Sequence, residues 1–261
     1  MEKIKQALDK ARQERQQGGA QPAKPAVEPV SDVSAIRYTR TQSVEGSHEK
    51  MRESRLVSSM EHGEYTDAMK ILSTQVLQRM NENHWGSIAV TSPRKAEGKT
   101  TIAINLGISI AREVEYTVLV VDANMRHPNM HQYFGINPEH GLSDYLTGDI
   151  ELSDILINPK GLDHFVILPA GNPHQSSSEL LGSPKMCSLV EELTSRYPKR
   201  IIIFDLPPVL ETADTLSFVP CVDTALLVVE DDVTKESDLK SAVDMLSVTN
   251  IIGTVLNKSM Y

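Results

Sequence analysis

One stretch constrains the fold of this chain more than any other, the segment from Ser87 to Thr101. An apolar run there is followed by a polar loop and then by a Gly-Lys-Thr triplet. Ile102, Leu106 and Ile110 continue beyond it at the spacing of one helical face. Strand, loop and helix in this order favour a phosphate-binding loop, because the first N–H groups of a helix have no intrahelical partner and point at an anion.

The match to the usual phosphate-loop pattern, Gly-x-x-x-x-Gly-Lys-Ser/Thr, is complete only in its second half. In such a loop Lys99 reaches the β- and γ-phosphates, and the Thr100 hydroxyl binds Mg²⁺. A Gly-Lys-Thr triplet also occurs by chance at strand-to-helix turns, so the remaining sequence has to decide between the two interpretations. The predicted loop, in which proline replaces the first glycine, consists of Pro93, Arg94, Lys95, Ala96, Glu97, Gly98, Lys99, Thr100 and Thr101.

Further apolar runs alternate with helical patterns along the chain, which predicts an α/β fold with a doubly wound, mostly parallel sheet. The predicted strands cover residues 88–90, 116–122, 164–169, 200–205, 224–229 and 251–256. Besides the helix that starts at Thr101, the predicted helices cover residues 64–80, 138–150, 150–157, 178–197 and 234–247.

Two of the predicted strands end in an acidic residue, Asp122 and Asp205. Either residue alone would be an ordinary cap or turn residue. Ligands of parallel sheets bind beyond the carboxyl ends of the strands, where these two acids and the phosphate loop converge. An acid after an apolar strand is the usual Mg²⁺ ligand of a phosphate-loop enzyme. We therefore expect the catalytic residues Lys99, Asp122 and Asp205, with Thr100, Asp122 and Asp205 around the metal.

The amino-terminal part of the chain differs in composition from the rest. Residues 1–17 predict an amphipathic helix with a narrow apolar face, which either docks on a partner or remains a nascent helix. Residues 18–50 are rich in Pro, Gly, Ser, Gln and charge and predict a flexible linker. The predicted phosphate-loop domain covers residues 51–261.

Charge and cysteine content exclude several classes of function. Residues 1–60 carry 11 Lys/Arg and 8 Asp/Glu, whereas the other 201 residues carry 15 and 27. So acidic a domain is not expected to bind nucleic acid, which needs a basic face. Cys187 and Cys221 match no metal or disulfide pattern and predict buried thiols in a reducing cytoplasm. We see no signal peptide and no apolar run of membrane-spanning length.

Three segments together resemble the bacterial tyrosine kinase family. Val118–Pro128 is similar to the second Walker motif of that family, and Ile201–Pro208 is similar to its Walker B strand. Leu168–Pro173 and Ser178–Met186 resemble its characteristic loop and following helix. The resemblance spans roughly residues 51–258 and is greatest to the cytoplasmic autokinases of exopolysaccharide loci linked to exosortase systems. The broader relatives are deviant-Walker P-loop ATPases of the septum-positioning and partitioning type.

The resemblance implies ATP and Mg²⁺ as cofactors and assigns roles to individual residues. Lys99 would hold the transferring phosphate, and Asp205 would bind Mg²⁺ through water. Asp122 would position the metal water or activate the acceptor hydroxyl. Asn257 would lie where the last strand meets the adenine, and Arg126 would lie near the phosphates or at a subunit boundary.

Departures from the family pattern leave two functions open. Ala96 and Asn124 stand where the family usually has a glycine and a second acid, and the family's carboxyl-terminal tyrosine cluster is reduced here to Tyr261. Tyr38 is a second candidate acceptor. The first function is a tyrosine autokinase in exopolysaccharide synthesis or export. The second is an ATP-binding switch that phosphorylates no tyrosine.

The resemblance also implies a location and a partner. The partner is a membrane polysaccharide co-polymerase, also called a chain-length determinant protein. The chain would then be cytoplasmic and peripheral to the inner membrane through that partner. A homo-oligomer is also implied, although Asp67, Lys70 and Ser73 replace the Glu, Arg and Arg that the family often uses for ring assembly.

Overall fold

The structure, a computed structural model, describes residues 41–60, 63–113, 115–196 and 199–259. The predicted helix at 1–17, most of the predicted linker, Tyr38 and Tyr261 lie outside the described residues. The strands are β1 Gln42–Val44, β2 Ser87–Thr91, β3 Thr117–Asp122, β4 Ile157–Pro159, β5 Phe165–Leu168, β6 Arg200–Asp205, β7 Thr224–Glu230 and β8 Asn250–Asn257.

These strands form one eight-stranded sheet within the described residues, in the order β1-β4-β5-β3-β6-β2-β7-β8. Neighbouring strands run parallel except for the antiparallel pair β4 and β5. Strands β2, β3 and β5 are buried along their whole length because helices cover both faces of the sheet. The doubly wound, mostly parallel sheet predicted from the sequence is therefore confirmed.

The helices pack on both faces and divide the apolar residues into two layers. One layer lies between the sheet and helices α2 and α3, and the other contains α8. The helices are α1 His48–Glu53, α2 Glu64–Asn83, α3 Lys99–Ala111, α4 Met130–Phe134, α5 Leu142–Thr147, α6 Leu152–Ile155, α7 Ser177–Leu181, α8 Pro184–Arg196, α9 Asp214–Phe218 and α10 Glu236–Met245.

Helix α3, which follows the phosphate loop, is buried along nearly its whole length. The fully buried Asn105 in its middle accepts a hydrogen bond from the Val57 N–H at 2.9 Å. Its amide nitrogen donates to the Arg55 carbonyl at 3.0 Å and to the Tyr65 hydroxyl at 2.8 Å. These bonds satisfy a buried amide and tie the segment before α2 to the helix that carries the phosphate loop.

The structure moves two boundaries that composition had suggested. Residues 42–44 pair with 157–159, and α1 packs near α4, so the domain includes part of the predicted linker 18–50. The predicted helix at 178–197 is two helices, because Pro184 lacks the N–H that a continuous helix would need.

The prediction of free thiols was wrong. Cys187 and Cys221 are joined in a disulfide with their Cα atoms 5.3 Å apart. The 34 positions that separate them in the sequence hid this proximity, which arises because α8 packs beside the segment that leads into β7. Among the described residues, no helix combines the length and the apolar character needed to cross a membrane.

Candidate active site

The loop between β2 and α3 contains two residues with a positive φ. Ala96 has a φ of 66° and Gly98 a φ of 92°, so both lie in the left-handed region. A Cβ atom on Gly98 would lie 2.1 Å from Nδ2 of Asn257, which leaves room only for glycine. The Pro93 carbonyl, at the place of the usual first glycine, accepts from the Leu210 N–H at 3.4 Å.

The loop is braced by hydrogen bonds within it and to residues that follow β7 and end β8. The side chain of Glu97 is buried and accepts from the Arg94 N–H at 2.8 Å and from the Thr234 hydroxyl. Its carbonyl accepts from Nδ2 of Asn257 at 2.9 Å. Lys258 donates to the Ala96 carbonyl at 2.8 Å. Glu97 and Asn257 therefore support the loop from the β7 and β8 side.

Two basic residues of the predicted loop contact residues beyond it, Arg94 through its guanidinium and Lys95 through its backbone N–H. The Arg94 guanidinium contacts the Asp238 carboxylate at 3.1 and 3.2 Å. Lys95 has an exposed side chain, and its N–H donates to Glu211 at 3.1 Å. Lys99, by contrast, is only 9% exposed, at the first position of α3. Lys99 is thus the buried basic residue of the loop, whereas Arg94 and Lys95 lie at the surface.

Lys99, Thr100 and Asp205 form the buried centre of the site. The Thr100 hydroxyl donates to Oδ2 of Asp205 at 2.7 Å, and Asp205 is fully buried. Burial raises the pKa of Asp205, whereas the Lys99 ammonium and the Thr100 hydrogen bond act in the opposite direction. Thr101 shares a hydrogen bond with the Tyr133 hydroxyl at 3.2 Å.

Asp122 lies beside Asp205 because β3 and β6 are adjacent and pair these two residues in register. Its carboxylate accepts from the backbone N–H groups of Asn124 at 3.1 Å, Asn129 at 3.2 Å and Met130 at 3.1 Å. Burial, and then the neighbouring Asp205 carboxylate, raises the pKa of Asp122 to about 7. Asp122 can therefore exchange a proton near neutral pH.

The oxygen atoms at this centre fit a divalent cation. Oδ1 of Asp205 and Oδ1 of Asn124 are both buried and lack a hydrogen-bond partner. Buried oxygen atoms without a partner are costly, and a hard cation such as Mg²⁺ would satisfy Oδ1 of Asp205 beside the Thr100 hydroxyl. Of the residues predicted to hold the metal, Thr100 and Asp205 are thus compatible with it, whereas both carboxylate oxygens of Asp122 already accept from backbone N–H groups.

Arg126, which the sequence predicted near the phosphates or at a subunit boundary, forms an ion pair with Asp214. Its Nε contacts both carboxylate oxygens of Asp214 at 3.1 Å, and its Nη2 contacts one of them at 3.1 Å. The Ser177 hydroxyl donates to the same carboxylate. Asp214 is fully buried, whereas Arg126 remains 34% exposed. Arg126 is therefore fixed by a side chain from the segment after β6.

A cleft of about 800 Å³ opens beside the loop. Gly98 and Thr101 form its phosphate-loop side, and Leu256 and Asn257 at the end of β8 form another wall. Tyr65 and other α2 residues complete it. Asn257 thus lies between the phosphate loop and a cavity large enough for a nucleoside.

Sequence reasoning missed three residues that shape this site. Thr234 holds Glu97, Tyr133 contacts Thr101, and Asp214 holds Arg126. None belongs to a spaced motif, and each acts on a residue more than 30 positions away in the sequence. Asp214 alone carried a signal, since it is an acidic residue close after the Asp205 strand.

No family model matches the chain. Individual relatives do, and CapB of Staphylococcus aureus is 28% identical over 179 residues, which are 68% of this chain and 77% of CapB. The tyrosine-protein kinase YwqD of Bacillus subtilis (strain 168) is 30% identical over 175 residues, which are 66% of this chain and 71% of YwqD.

A third relative is the tyrosine-protein kinase Etk of Escherichia coli (strain K12), 30% identical over 193 residues. The match spans 73% of this chain but only 26% of Etk. The solved kinase domain of Etk superimposes with a TM-score of 0.69 at 25% identity, over 84% of this chain and 91% of that domain. The Mg-ADP complex of MinD from Pyrococcus horikoshii OT3 shares the fold, with a TM-score of 0.55 at 24% identity. That match covers 67% of this chain and 72% of MinD.

Proposed function

The chain belongs to the bacterial tyrosine kinase family, and on that premise we propose that it uses Mg-ATP to phosphorylate tyrosine in exopolysaccharide synthesis or export. The observation that carries this proposal is the meeting of Lys99, Thr100, Asp122 and Asp205 at one edge of the sheet. Phosphoryl transfer needs positioning and charge neutralisation more than covalent chemistry. The buried Lys99 ammonium and the buried carboxylates, beside a helix N-terminus, supply both the positioning and the charge neutralisation.

Each residue of this centre has a proposed role. The N–H groups at the start of α3 and the Lys99 ammonium bind the phosphates of ATP. Thr100 and Asp205 would hold Mg²⁺, and the buried amide oxygen of Asn124 is a further proposed ligand. The bound metal supplies positive charge that neutralises the transferring phosphoryl group. The cleft beside Asn257 receives the nucleoside.

Asp122 is the proposed proton acceptor. Its pKa of about 7 matches the requirement that a general base be unprotonated yet basic near neutral pH. The tyrosine hydroxyl would transfer its proton to Asp122 as its oxygen bonds to the γ-phosphorus and the bond to ADP breaks. The three backbone N–H groups that donate to Asp122 hold the carboxylate in place for this transfer.

The described tyrosines have structural contacts that argue against their being the main acceptors. The hydroxyls of Tyr65, Tyr116 and Tyr133 are hydrogen-bonded to protein side chains, and Lys185 lies 4.8 Å from the centre of the Tyr145 ring. We therefore propose Tyr261 or Tyr38, in a neighbouring copy, as the acceptor.

Nucleotide binding with a matched pair of variants tests the site. Lys99→Ala should abolish Mg²⁺-dependent ATP binding and turnover. Lys240→Ala makes the same substitution at an exposed lysine that pairs with Glu236 on the protein surface, and both properties should remain. Equal ATP binding by the Lys99 variant and the wild type would refute the assignment of the phosphate site.

Asn124 favours the second function, the ATP-controlled switch, because the amide lacks the charge of the acid that the family usually has there. Mass spectrometry of the protein after incubation with Mg-ATP separates the two functions. Phosphotyrosine that disappears in Lys99→Ala supports the kinase. Phosphate release without phosphotyrosine supports the switch.

For the cellular role we propose a membrane polysaccharide co-polymerase as partner, which would hold the chain at the inner membrane from the cytoplasmic side. The proposed contact is the segment 1–17. Co-purification with such a partner should weaken when residues 1–17 are deleted, whereas ATP binding should not change. Co-purification that survives the deletion would move the contact to the domain.

A homo-oligomer is also proposed, although α2 offers little of the contact that the family uses. Asp67 and Lys70 are exposed, but Ser73 is buried and its hydroxyl donates to the Lys70 carbonyl. Sedimentation velocity with and without Mg-ATP measures the oligomeric state directly. A single monomer boundary under both conditions would exclude the oligomer.

A further inference from the structure

Asp214 connects three loops at the carboxyl edge of the sheet. It lies at the start of α9, in the connection between β6 and β7, and it is fully buried. Its carboxylate holds Arg126 from the loop after β3 and Ser177 from the segment after β5. A backbone bond from His174 to the Met125 carbonyl, at 2.9 Å, joins the latter two loops directly.

The order of the strands places these loops on one side of the phosphate site. The phosphate loop follows β2, and the nucleoside cleft lies towards β8. Strands β3 and β5 lie on the other side of β6. A nucleotide that extends from the β8 side across β2 would direct its terminal phosphate towards the loops after β6 and β3. Arg126 therefore lies on the side from which an acceptor must approach.

The geometry of the pair fixes the guanidinium orientation. Contacts from both Nε and Nη2 to one carboxylate define the guanidinium plane as well as its position. Because Asp214 is also held by Ser177 and has no exposed surface, the carboxylate itself has little freedom. The remaining surface of Arg126 stays accessible, since the side chain is 34% exposed.

We infer that Asp214 is a positioning residue for phosphoryl transfer, which holds Arg126 against the tyrosine-bearing acceptor peptide. A fixed guanidinium on this side stabilises the negative charge that the phosphoryl group carries as it passes to the tyrosine oxygen. This inference depends on the proposed kinase function. It goes beyond that function because it gives a buried acid, Asp214, a role on the acceptor side of the site, although Asp214 itself does not contact the substrate.

The test compares Asp214→Asn, Arg126→Gln, the double variant and Asp223→Asn in the full chain. ATP affinity is measured with a fluorescent ATP analogue and Mg²⁺, and kcat and the acceptor KM with a glutamate–tyrosine copolymer. Asp214→Asn and Arg126→Gln should each lower kcat or raise the acceptor KM by about tenfold or more, with ATP affinity within about twofold of the wild type. Since Asp214 acts through Arg126, the double variant should be no worse than Arg126→Gln alone.

Asp223→Asn is the matched control, because it makes the same substitution at a hydrogen-bonded carboxylate that contacts Gly86 and Ser87 at the opposite edge of the sheet. Its kinetic constants should remain close to those of the wild type. Circular dichroism checks the fold of each variant. If Asp214→Asn does not fold, the double variant, which removes both charges together, is compared with Arg126→Gln and with Asp214→Glu, whose longer carboxylate displaces the guanidinium.

Unchanged kinetics in Asp214→Asn, or in Asp214→Glu where that variant replaces it, would overturn the inference. Parallel losses of ATP affinity and kcat in all variants including Asp223→Asn would overturn it too, since they would indicate a purely structural pair. In both cases the wild type would still phosphorylate the copolymer. A wild type that phosphorylates no tyrosine would instead overturn the proposed function and the inference with it.

Discussion

Replacing Ala96 with glycine should stabilise the protein, although the same substitution almost always destabilises. Ala96 has a φ of 66°, in the left-handed region where a Cβ atom crowds the backbone. That conformation costs an L-residue about 1–2 kcal/mol. Glycine removes this cost, but its greater conformational freedom stabilises the unfolded state by about 0.4–1 kcal/mol. The difference leaves a net gain of about 0.5–1 kcal/mol in the free energy of unfolding.

Ala68 provides the matched control. It is exposed within α2, where glycine costs about 1 kcal/mol relative to alanine. The two variants should therefore differ by about 1.5–2 kcal/mol in the free energy of unfolding, with opposite signs relative to the wild type. For a domain of this size the difference corresponds to about 3–8 °C in Tm.

Thermal and urea unfolding without nucleotide measure both variants directly. The Lys258 bond to the Ala96 carbonyl does not involve the side chain, so the substitution leaves it intact. If Ala96→Gly lowers Tm by as much as Ala68→Gly, the left-handed conformation carries no cost and the reasoning fails. If the gain is present, ATP affinity should change little, because the loop conformation is the same in both proteins.

Three further predictions concern the same site. The pKa of Asp122 is about 7 in the folded protein, against an ordinary value of 3.8. The free energy of unfolding without metal should therefore fall as pH rises from about 4 to 7, by at most about 4 kcal/mol. In a series of Tm measurements across that range, Asp122→Asn should flatten this dependence. Gly98→Ala should weaken ATP binding by about tenfold, since the new Cβ would displace Asn257; unchanged affinity by calorimetry would contradict the predicted clash. Asn124→Asp adds a third carboxylate near Asp122 and Asp205. It should therefore lower the Tm without metal by about 2–4 °C and increase the Mg²⁺ dependence of ATP binding. Equal Mg²⁺ titrations of the variant and the wild type would exclude a role of Asn124 at the metal.

Local patterns predicted the elements best where one residue type dominates a short run. The buried strands at 117–122 and 200–205 are nearly continuous apolar segments, and the structure has them at these residues or within one residue of the prediction. Short elements such as β1 and β4 were not predicted, because three residues carry too little periodicity to distinguish a strand from a loop.

In the candidate site, too, residues in local motifs were predicted from the sequence, whereas their partners from distant segments were not. Lys99, Thr100, Asp122 and Asp205 were recognisable because the phosphate loop and the strand-terminal acids follow directly from chain direction in a parallel sheet. The partners of the loop were not recognisable. The disulfide between Cys187 and Cys221 was also missed, since nothing in their spacing indicates that two distant segments pack side by side.

The sequence by itself determined the strand–loop–helix unit, the parallel sheet and the acids at its carboxyl edge, because each depends on residues that are adjacent along the chain. Only the tertiary structure decided that Arg126 pairs with Asp214, that Glu97 supports the loop from behind, and that Asp122 and Asp205 are close enough to raise the pKa of Asp122. Those facts depend on distances between segments and on exclusion of water, which packing sets and local pattern does not record.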